Sequence, residues 1–206
     1  MNTRQIVCGV VLAGGMSRRM GGQDKSLMRL SGKTLIERVI ETARPQVASL
    51  SVNTNLDPEA YRFLGLPILS DSVSGHLGPL VGVLTGMDWA RANHPDCDWL
   101  VTLPCDAPFI PSNLVSRFQE EIRVNEANLA CAESGDRLHP VIGLWSVSLY
   151  KSLRKAIIED GIRKVDQWTA AHRLVSVEWA AKPFDPFFNI NSPQDLEFAE
   201  KVIADR

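Results

Sequence analysis

One stretch near the start of the chain concentrates glycines and cations in a spacing that suits a phosphate-binding loop. Residues 12–25 read LAGGMSRRMGGQDK. The glycines and cations of this stretch are Gly14, Gly15, Gly21, Gly22, Arg18, Arg19 and Lys25. Glycine leaves backbone N–H groups open to close approach by an anion, and clustered cations offset the charge of a triphosphate. The residues therefore predict a site for linked phosphates.

Two familiar phosphate motifs do not fit this loop. A P-loop requires G-x-x-x-x-G-K-[ST], and here Asp24 rather than glycine precedes Lys25. A dinucleotide fingerprint requires G-x-G-x-x-G, which the stretch lacks. From spacing alone, a glycine-rich surface loop whose charges keep it soluble stays as the alternative.

A second candidate for chemistry is an acid in a proline-flanked loop. Asp106 follows the apolar run at 99–103 and lies between Pro104 and Pro108, which restrict the loop. Mg²⁺ prefers oxygen ligands and keeps several waters, so one carboxylate and phosphate oxygens suffice to hold it. Asp106 is therefore the predicted metal ligand, with an ordinary Asp turn as the alternative.

Transfer between phosphates would explain why no Ser-His-Asp or Cys-His group stands out in the chain. A phosphate nucleophile has a second pKa of about 6, so it is mostly ionised at neutral pH without a general base. Catalysis then depends on charge neutralisation and in-line positioning rather than on covalent work by the protein.

The overall composition excludes several functional classes. The 206 residues include 22 basic and 24 acidic side chains, a balance that argues against a nucleic-acid-binding surface. The four cysteines lack C-x-x-C or zinc-site spacing, so free thiols in a reducing cytoplasm are expected. No apolar stretch is long enough for a membrane span, and no secretory signal is recognisable. We expect one cytoplasmic domain over residues 1–206, without membrane or nucleic-acid partners.

Alternating strands and helices are predicted to position these residues. Ile6–Leu12 is continuously apolar and β-branched, which is typical of a strand buried on both faces of a parallel sheet. Further strands are predicted at 50–53, 68–70, 99–103, 129–133, 141–146 and 174–177, and helices at 34–43, 80–92, 112–125, 148–159, 163–171 and from 192 onward. This order predicts a three-layer α/β/α sandwich, Rossmann-like, with a mostly parallel mixed sheet. Such sheets bind ligands at the carboxyl ends of their strands, where the glycine-rich loop begins.

The loop at 12–25 resembles the nucleotide-binding signature of the molybdenum cofactor guanylyltransferases, the MobA family, through L-A-G-G-x-x-R-R-M-G-G-x-D-K. Weaker similarities follow in the family's order at residues 32–35, 71–80, 104–108 and 189–196. The resemblance spans the whole chain and implies a GT-A-like nucleotidyltransferase fold.

The resemblance also implies a reaction and a site. Members transfer GMP from GTP to the phosphate of molybdopterin or molybdenum-molybdopterin, which forms molybdopterin guanine dinucleotide and releases pyrophosphate. Mg²⁺ is the implied cofactor, and cofactor-synthesis proteins and apo-molybdoenzymes are the implied partners. The residues implied to bind GTP are Leu12, Ala13, Gly14, Gly15, Lys25, Asn53, Asp71 and Asp106. Lys25, Asp106 and Arg19 are the expected catalytic residues, and Asp106 also binds the metal.

Alternatives stay open on the sequence alone. Related enzymes transfer CMP to molybdopterin or to another phosphorylated small molecule, and cytidylyl members tend to carry L-A-A-G where this chain has L-A-G-G at 12–15. A non-catalytic nucleotide-binding module is the alternative from another class, because fold does not prove activity. Asn189, Asn191 and His139 are candidates for the acceptor pocket, each with a local hydrogen-bonding role as its alternative.

Overall fold

The structure, a computed structural model, describes residues 5–14, 24–75 and 78–205. Its strands are β1 (Ile6–Leu12), β2 (Arg29–Leu30), β3 (Lys33–Thr34), β4 (Ser49–Asn53), β5 (Ile68–Leu69), β6 (Cys97–Pro104), β7 (Leu129–Ser134), β8 (Arg137–Ser146) and β9 (Leu174–Trp179). Its α-helices are α1 (Leu35–Ala43), α2 (Pro79–Asn93), α3 (Leu114–Val124), α4 (Tyr150–Ile158), α5 (Val165–Thr169) and α6 (Pro193–Ala204). Short 3₁₀ helices lie at Lys25–Leu27, Arg44–Gln46, Pro58–Leu64 and Val147–Leu149.

Seven of the strands form one mixed sheet in the order β5-β4-β1-β6-β8-β7-β9. Strand β1 is parallel to both of its neighbours, β4 and β6. Strand β8 runs antiparallel to β6 and to β7, and β7 is parallel to β9. The predicted mostly parallel mixed sheet is therefore confirmed. Because β1, β4 and β6 run the same way, their carboxyl ends meet at one edge of the sheet.

Burial on both faces explains the apolar composition of β1. Val7 and Val11 belong to the apolar layer that contains α1 and α3, whereas Cys8 and Val10 belong to the opposite layer with α2 and α4. Helix α2 comes close to the sheet at a glycine, since a Cβ on Gly86 would lie 2.8 Å from Val10 Cγ1. Helices on both faces of the sheet make the predicted three layers.

Local capping signals determine where two helices begin. The Thr34 hydroxyl accepts a hydrogen bond from the Glu37 amide, and the Glu37 carboxylate accepts one from the Thr34 amide, which is a capping box. Ser192 accepts from the Asp195 amide, and Pro193 occupies the first turn of α6, as its sequence predicts.

Several boundaries differ from the predictions. Helix α3 begins at Leu114 rather than at 112, and α5 covers only Val165–Thr169 of the predicted 163–171. The β2–β3 hairpin and the 3₁₀ helix Pro58–Leu64 were not predicted. Two-residue strands and a seven-residue 3₁₀ helix are too short to show a clear hydrophobic period, which is why sequence patterns miss them.

The cysteines agree with the expectation of free thiols drawn from their spacing. Cys8, Cys97, Cys105 and Cys131 are all buried and free. Burial raises the pKa of the Cys131 thiol to about 12, so this side chain behaves as a neutral apolar group. Among the described helices, none has the length and apolar character needed to cross a bilayer.

Candidate functional site

The predicted site residues gather where β1, β4 and β6 end. Leu12 is the last residue of β1 and pairs with Asn53 of β4 on one side and with Pro104 of β6 on the other. The pairing continues into the loops, because the Ala13 amide donates to the Asn53 carbonyl at 2.8 Å and the Cys105 amide donates to the Leu12 carbonyl at 3.1 Å. Three distant segments therefore border one cleft.

An open cavity of about 370 Å³ lies in this cleft. Four of the predicted binding residues line it, namely Leu12, Gly14, Asn53 and Asp71. Asn55, which the sequence analysis did not select, also lines the cavity. Its volume is within the range of about 300–1,000 Å³ that is typical of small-molecule sites.

A cluster of Lys25, Asp106 and Asn191 lies beyond Pro104, at the end of the β6 loop. Lys25 Nζ donates to Asp106 Oδ2 and to Asn191 Oδ1, both at 2.6 Å. Only 8% of Lys25 is exposed, so little water screens this ion pair. An ammonium group has three N–H donors, and these two described partners leave one for a phosphate oxygen.

The cluster also offers oxygens suited to a divalent cation. Among the described residues, Asp106 Oδ1 and Asn189 Oδ1 are buried and have no hydrogen-bond partner. The Ile190 amide donates to the Asp106 carbonyl at 2.9 Å, which ties the segment carrying Asn189 and Asn191 to the Asp106 loop. An unpaired buried oxygen is costly, and a bound cation would remove that cost. Carboxylate and amide oxygens are ligands that Mg²⁺ accepts, so the residues present fit such an ion.

A network of hydrogen bonds around Asp24 fixes the turn that carries Lys25. Asp24 Oδ1 accepts from the Ser26 amide at 3.0 Å and from the Ser26 hydroxyl at 2.7 Å. The Tyr61 hydroxyl donates to Asp24 Oδ2 and contacts the Ser26 hydroxyl at 2.8 Å. Tyr61 is fully buried, and this burial, together with its bond to Asp24, raises the pKa of the phenol, which stays protonated. The network fixes the 3₁₀ turn that presents Lys25.

Tyr61 and Asn55 are the residues that sequence reasoning missed. Nothing in the spacing connects Tyr61 with Asp24, because the contact spans 37 positions of the chain. Asn55 did leave a signal, since it follows Asn53 by two positions at the end of a strand, where alternate residues point to the same side.

The remaining candidates fall into two groups. Gly15 and Arg19 lie outside the described residues, so their predicted roles stay predictions. His139 is buried in β8, where its Nε2 contacts the Ser134 hydroxyl at 2.8 Å, and burial lowers its pKa. The same hydroxyl donates to Asp185 Oδ1 at 2.8 Å. His139 thus makes a local hydrogen bond, and its role in the acceptor pocket stays a prediction.

Comparisons with known proteins agree with this geometry. The family described as a MobA-like NTP transferase domain matches residues 9–174. A molybdenum cofactor guanylyltransferase from Rhodopseudomonas palustris (strain BisB5) is 47% identical, over 94% of this chain and 92% of that protein.

Solved structures share the fold. Molybdopterin-guanine dinucleotide biosynthesis protein A from Archaeoglobus fulgidus has a TM-score of 0.75 at 24% identity, with 98% of this chain and 100% of that chain covered. Rv0371C from Mycobacterium tuberculosis H37Rv, in complex with manganese, has a TM-score of 0.69 at 16% identity, with 96% of this chain and 99% of that chain covered.

The fold, the family model and the relatives identify a nucleotidyltransferase. The chain belongs to the MobA-like NTP transferase family. The resemblance drawn from the glycine-rich loop is therefore confirmed. The names of the relatives favour guanylyl transfer over the cytidylyl alternative and over a non-catalytic module.

Removing the Tyr61 hydroxyl should loosen the turn that carries Lys25. For Tyr61→Phe we expect kcat/KM for the nucleotide to fall about 3- to 10-fold, because Asp24 loses a hydrogen bond worth about 1–3 kcal/mol and only part of that loss affects the position of Lys25. Steady-state kinetics and thermal unfolding measure the two effects. Tyr150→Phe, at the only other tyrosine of the chain, is the control and should keep full activity. Equal kinetics in the two variants would remove the positioning role of Tyr61.

Proposed function

We propose that this chain transfers GMP from GTP to the phosphate of molybdopterin or its molybdenum complex, forming molybdopterin guanine dinucleotide and releasing pyrophosphate. The observation that carries the proposal is the Lys25–Asp106–Asn191 cluster beside a cavity of nucleoside size. It occurs in a chain whose 47%-identical relative is named a molybdenum cofactor guanylyltransferase.

The two flanks of β1 suggest how GTP lies in the cleft. On the β4 flank, Asn53 and Asp71 give the cavity a polar wall suited to a base. On the β6 flank, Lys25 supplies positive charge for the phosphates. Between them, a Cβ built on Gly14 would meet no atom of residues 5–14, 24–75 and 78–205 within 4 Å, so the described part of the chain leaves space beside the backbone there. The nucleoside would pass over residues 12–14, and Gly15 and Arg19 would complete the phosphate site.

Asp106 is the proposed Mg²⁺ ligand. Its Oδ2 is committed to Lys25, whereas its Oδ1 is buried and unpaired among the described residues, as is Asn189 Oδ1. When bound, the ion would neutralise charge on the phosphate oxygens and help to orient them. Lys25 would then contribute a second, fixed positive charge through its third N–H donor.

The side chains of the protein need only orient the reacting phosphates and neutralise their charge. The acceptor phosphate, with a second pKa of about 6, attacks the α-phosphorus in its ionised form, so no side chain has to remove a proton. Pyrophosphate leaves in line, and the charge that develops on it is met by Lys25 and the cationic loop. Asn191 holds the Lys25 ammonium and so keeps its direction fixed.

The setting of the reaction is also part of the proposal. Buried free thiols suit a reducing cytoplasm, where we place the enzyme. Cofactor-synthesis proteins that supply the labile acceptor, and apo-molybdoenzymes that take up the product, are the proposed partners.

The function is tested by supplying molybdopterin, Mg²⁺ and each of the four ribonucleoside triphosphates in turn. We expect pyrophosphate and the dinucleotide to form with GTP, and GTP to raise the melting temperature most, because selective binding stabilises the folded state. Product formed with CTP alone would replace the guanylyl assignment with the cytidylyl one. GTP binding without any pyrophosphate would favour a binding module.

Removing the charge of Lys25 should impair turnover, and thermal unfolding checks that the variant is folded. For Lys25→Ala we expect kcat/KM for GTP to fall at least about 100-fold, or about 2.7 kcal/mol of transition-state stabilisation. Lys33→Ala is the matched control, because Lys33 is exposed and pairs with Glu41 at 2.7 Å away from the cleft. Unchanged turnover of Lys25→Ala at subsaturating GTP would eliminate the proposed role.

Neutralising Asp106 should weaken use of the metal. For Asp106→Asn we expect activity to fall at least about tenfold, or about 1.4 kcal/mol, and the Mg²⁺ concentration for half-maximal rate to rise. Asp136→Asn, in the exposed turn between β7 and β8, should leave the Mg²⁺ titration unchanged. Full activity of Asp106→Asn with a normal Mg²⁺ titration contradicts the assignment.

A further inference from the structure

Asn55 makes a reciprocal pair of hydrogen bonds with Asp71. Asn55 Nδ2 donates to Asp71 Oδ2 at 2.7 Å, and the Asp71 amide donates to Asn55 Oδ1 at 2.9 Å. One side chain thus holds both the backbone and the carboxylate of Asp71. This arrangement fixes the direction of the carboxylate more firmly than a single hydrogen bond would.

Asn53 holds the other carboxylate oxygen. Its Nδ2 donates to Asp71 Oδ1 at 2.9 Å and to the Leu69 carbonyl at 3.2 Å. Each oxygen of Asp71 therefore accepts one hydrogen bond from a neutral amide, and each keeps further acceptor capacity. Within residues 5–14, 24–75 and 78–205, no Lys, Arg or His forms an ion pair with Asp71.

The cavity is lined by Asn53, Asn55 and Asp71 on the side of β1 where β4 lies. The Lys25–Asp106 cluster follows β6, on the other flank. A nucleotide whose phosphates lie at that cluster would therefore carry its base toward Asp71. What meets the base is a carboxylate with two adjacent acceptor oxygens.

Guanine is the base whose edge complements such a carboxylate. Its N1–H and its 2-amino group are adjacent donors, so they can bind two carboxylate oxygens side by side. Cytosine and adenine place a ring nitrogen acceptor beside their amino donor, which would face an oxygen without a hydrogen. The Asp71 oxygen that faces this acceptor would be left without a hydrogen bond, which disfavours both bases.

We infer that Asn55 is a specificity-positioning residue, which clamps Asp71 so that its carboxylate reads the N1–H and 2-amino edge of guanine. This inference rests on the proposed use of GTP and names the part of GTP that is recognised. Asn53 also holds Asp71, but it donates a second hydrogen bond to the Leu69 carbonyl in β5, so changing it would disturb the sheet as well. Asn55 is therefore the better residue to change.

The experiment compares GTP with inosine triphosphate, which lacks only the 2-amino group. For Asn55→Ala we expect KM for GTP to rise about tenfold, kcat to change less than about threefold, and the GTP-over-ITP ratio of kcat/KM to fall. Asn125→Ala, at the exposed end of α3, is the control and should leave that ratio unchanged. Thermal unfolding of both variants checks that they are folded.

A second variant tests the reading of the base directly. Asp71→Asn replaces one acceptor oxygen with a donor, so it should lower kcat/KM for GTP and raise the relative use of xanthosine triphosphate, whose C2 carries a carbonyl oxygen. If GTP is a substrate but Asn55→Ala lowers the GTP and ITP rates equally, the inference is wrong and the proposed function stands. If the unchanged enzyme makes no product from GTP, the proposed function fails and this inference fails with it.

Discussion

The buried contact between Lys25 and Asp106 is the interaction on which the rest of the site depends. It joins residues 81 positions apart, and Asn191 joins the same ammonium from 166 positions away. Removing a lysine and a carboxylate from water is costly, so each charge needs the other. The loop after β1, the loop after β6 and the segment before α6 are therefore held together by one ammonium group.

One connection in the chain supports both ends of the cleft. The segment between β4 and β5 supplies Asn55, which bonds Asp71 on the cavity wall, and Tyr61, which bonds Asp24 behind Lys25. Neither residue needs to touch the reacting phosphates. Both act by limiting how far a charged neighbour can move, which is how a site keeps its groups within reach of productive geometry.

Much of the fold could be predicted from local patterns. Continuous apolar runs mark the buried strands, and Ser192-Pro193 marks the start of α6. The phosphate site indicated by the glycines and cations at 12–25 stays a prediction. The residues that form each of these signals lie close together in the chain, so the sequence alone is enough to recognise them. The hairpin β2–β3 and the 3₁₀ helix Pro58–Leu64 escaped prediction because so few residues show no period.

The sequence by itself determined the class of fold and the family resemblance, because both depend on patterns among adjacent residues. Only the tertiary structure decided that Lys25 meets Asp106 and Asn191, that Tyr61 supports Asp24, and that Asn55 clamps Asp71. The physical reason is that these hydrogen bonds depend on which strands lie side by side in the sheet and where their connections cross its edge. Spacing along the chain does not encode that arrangement.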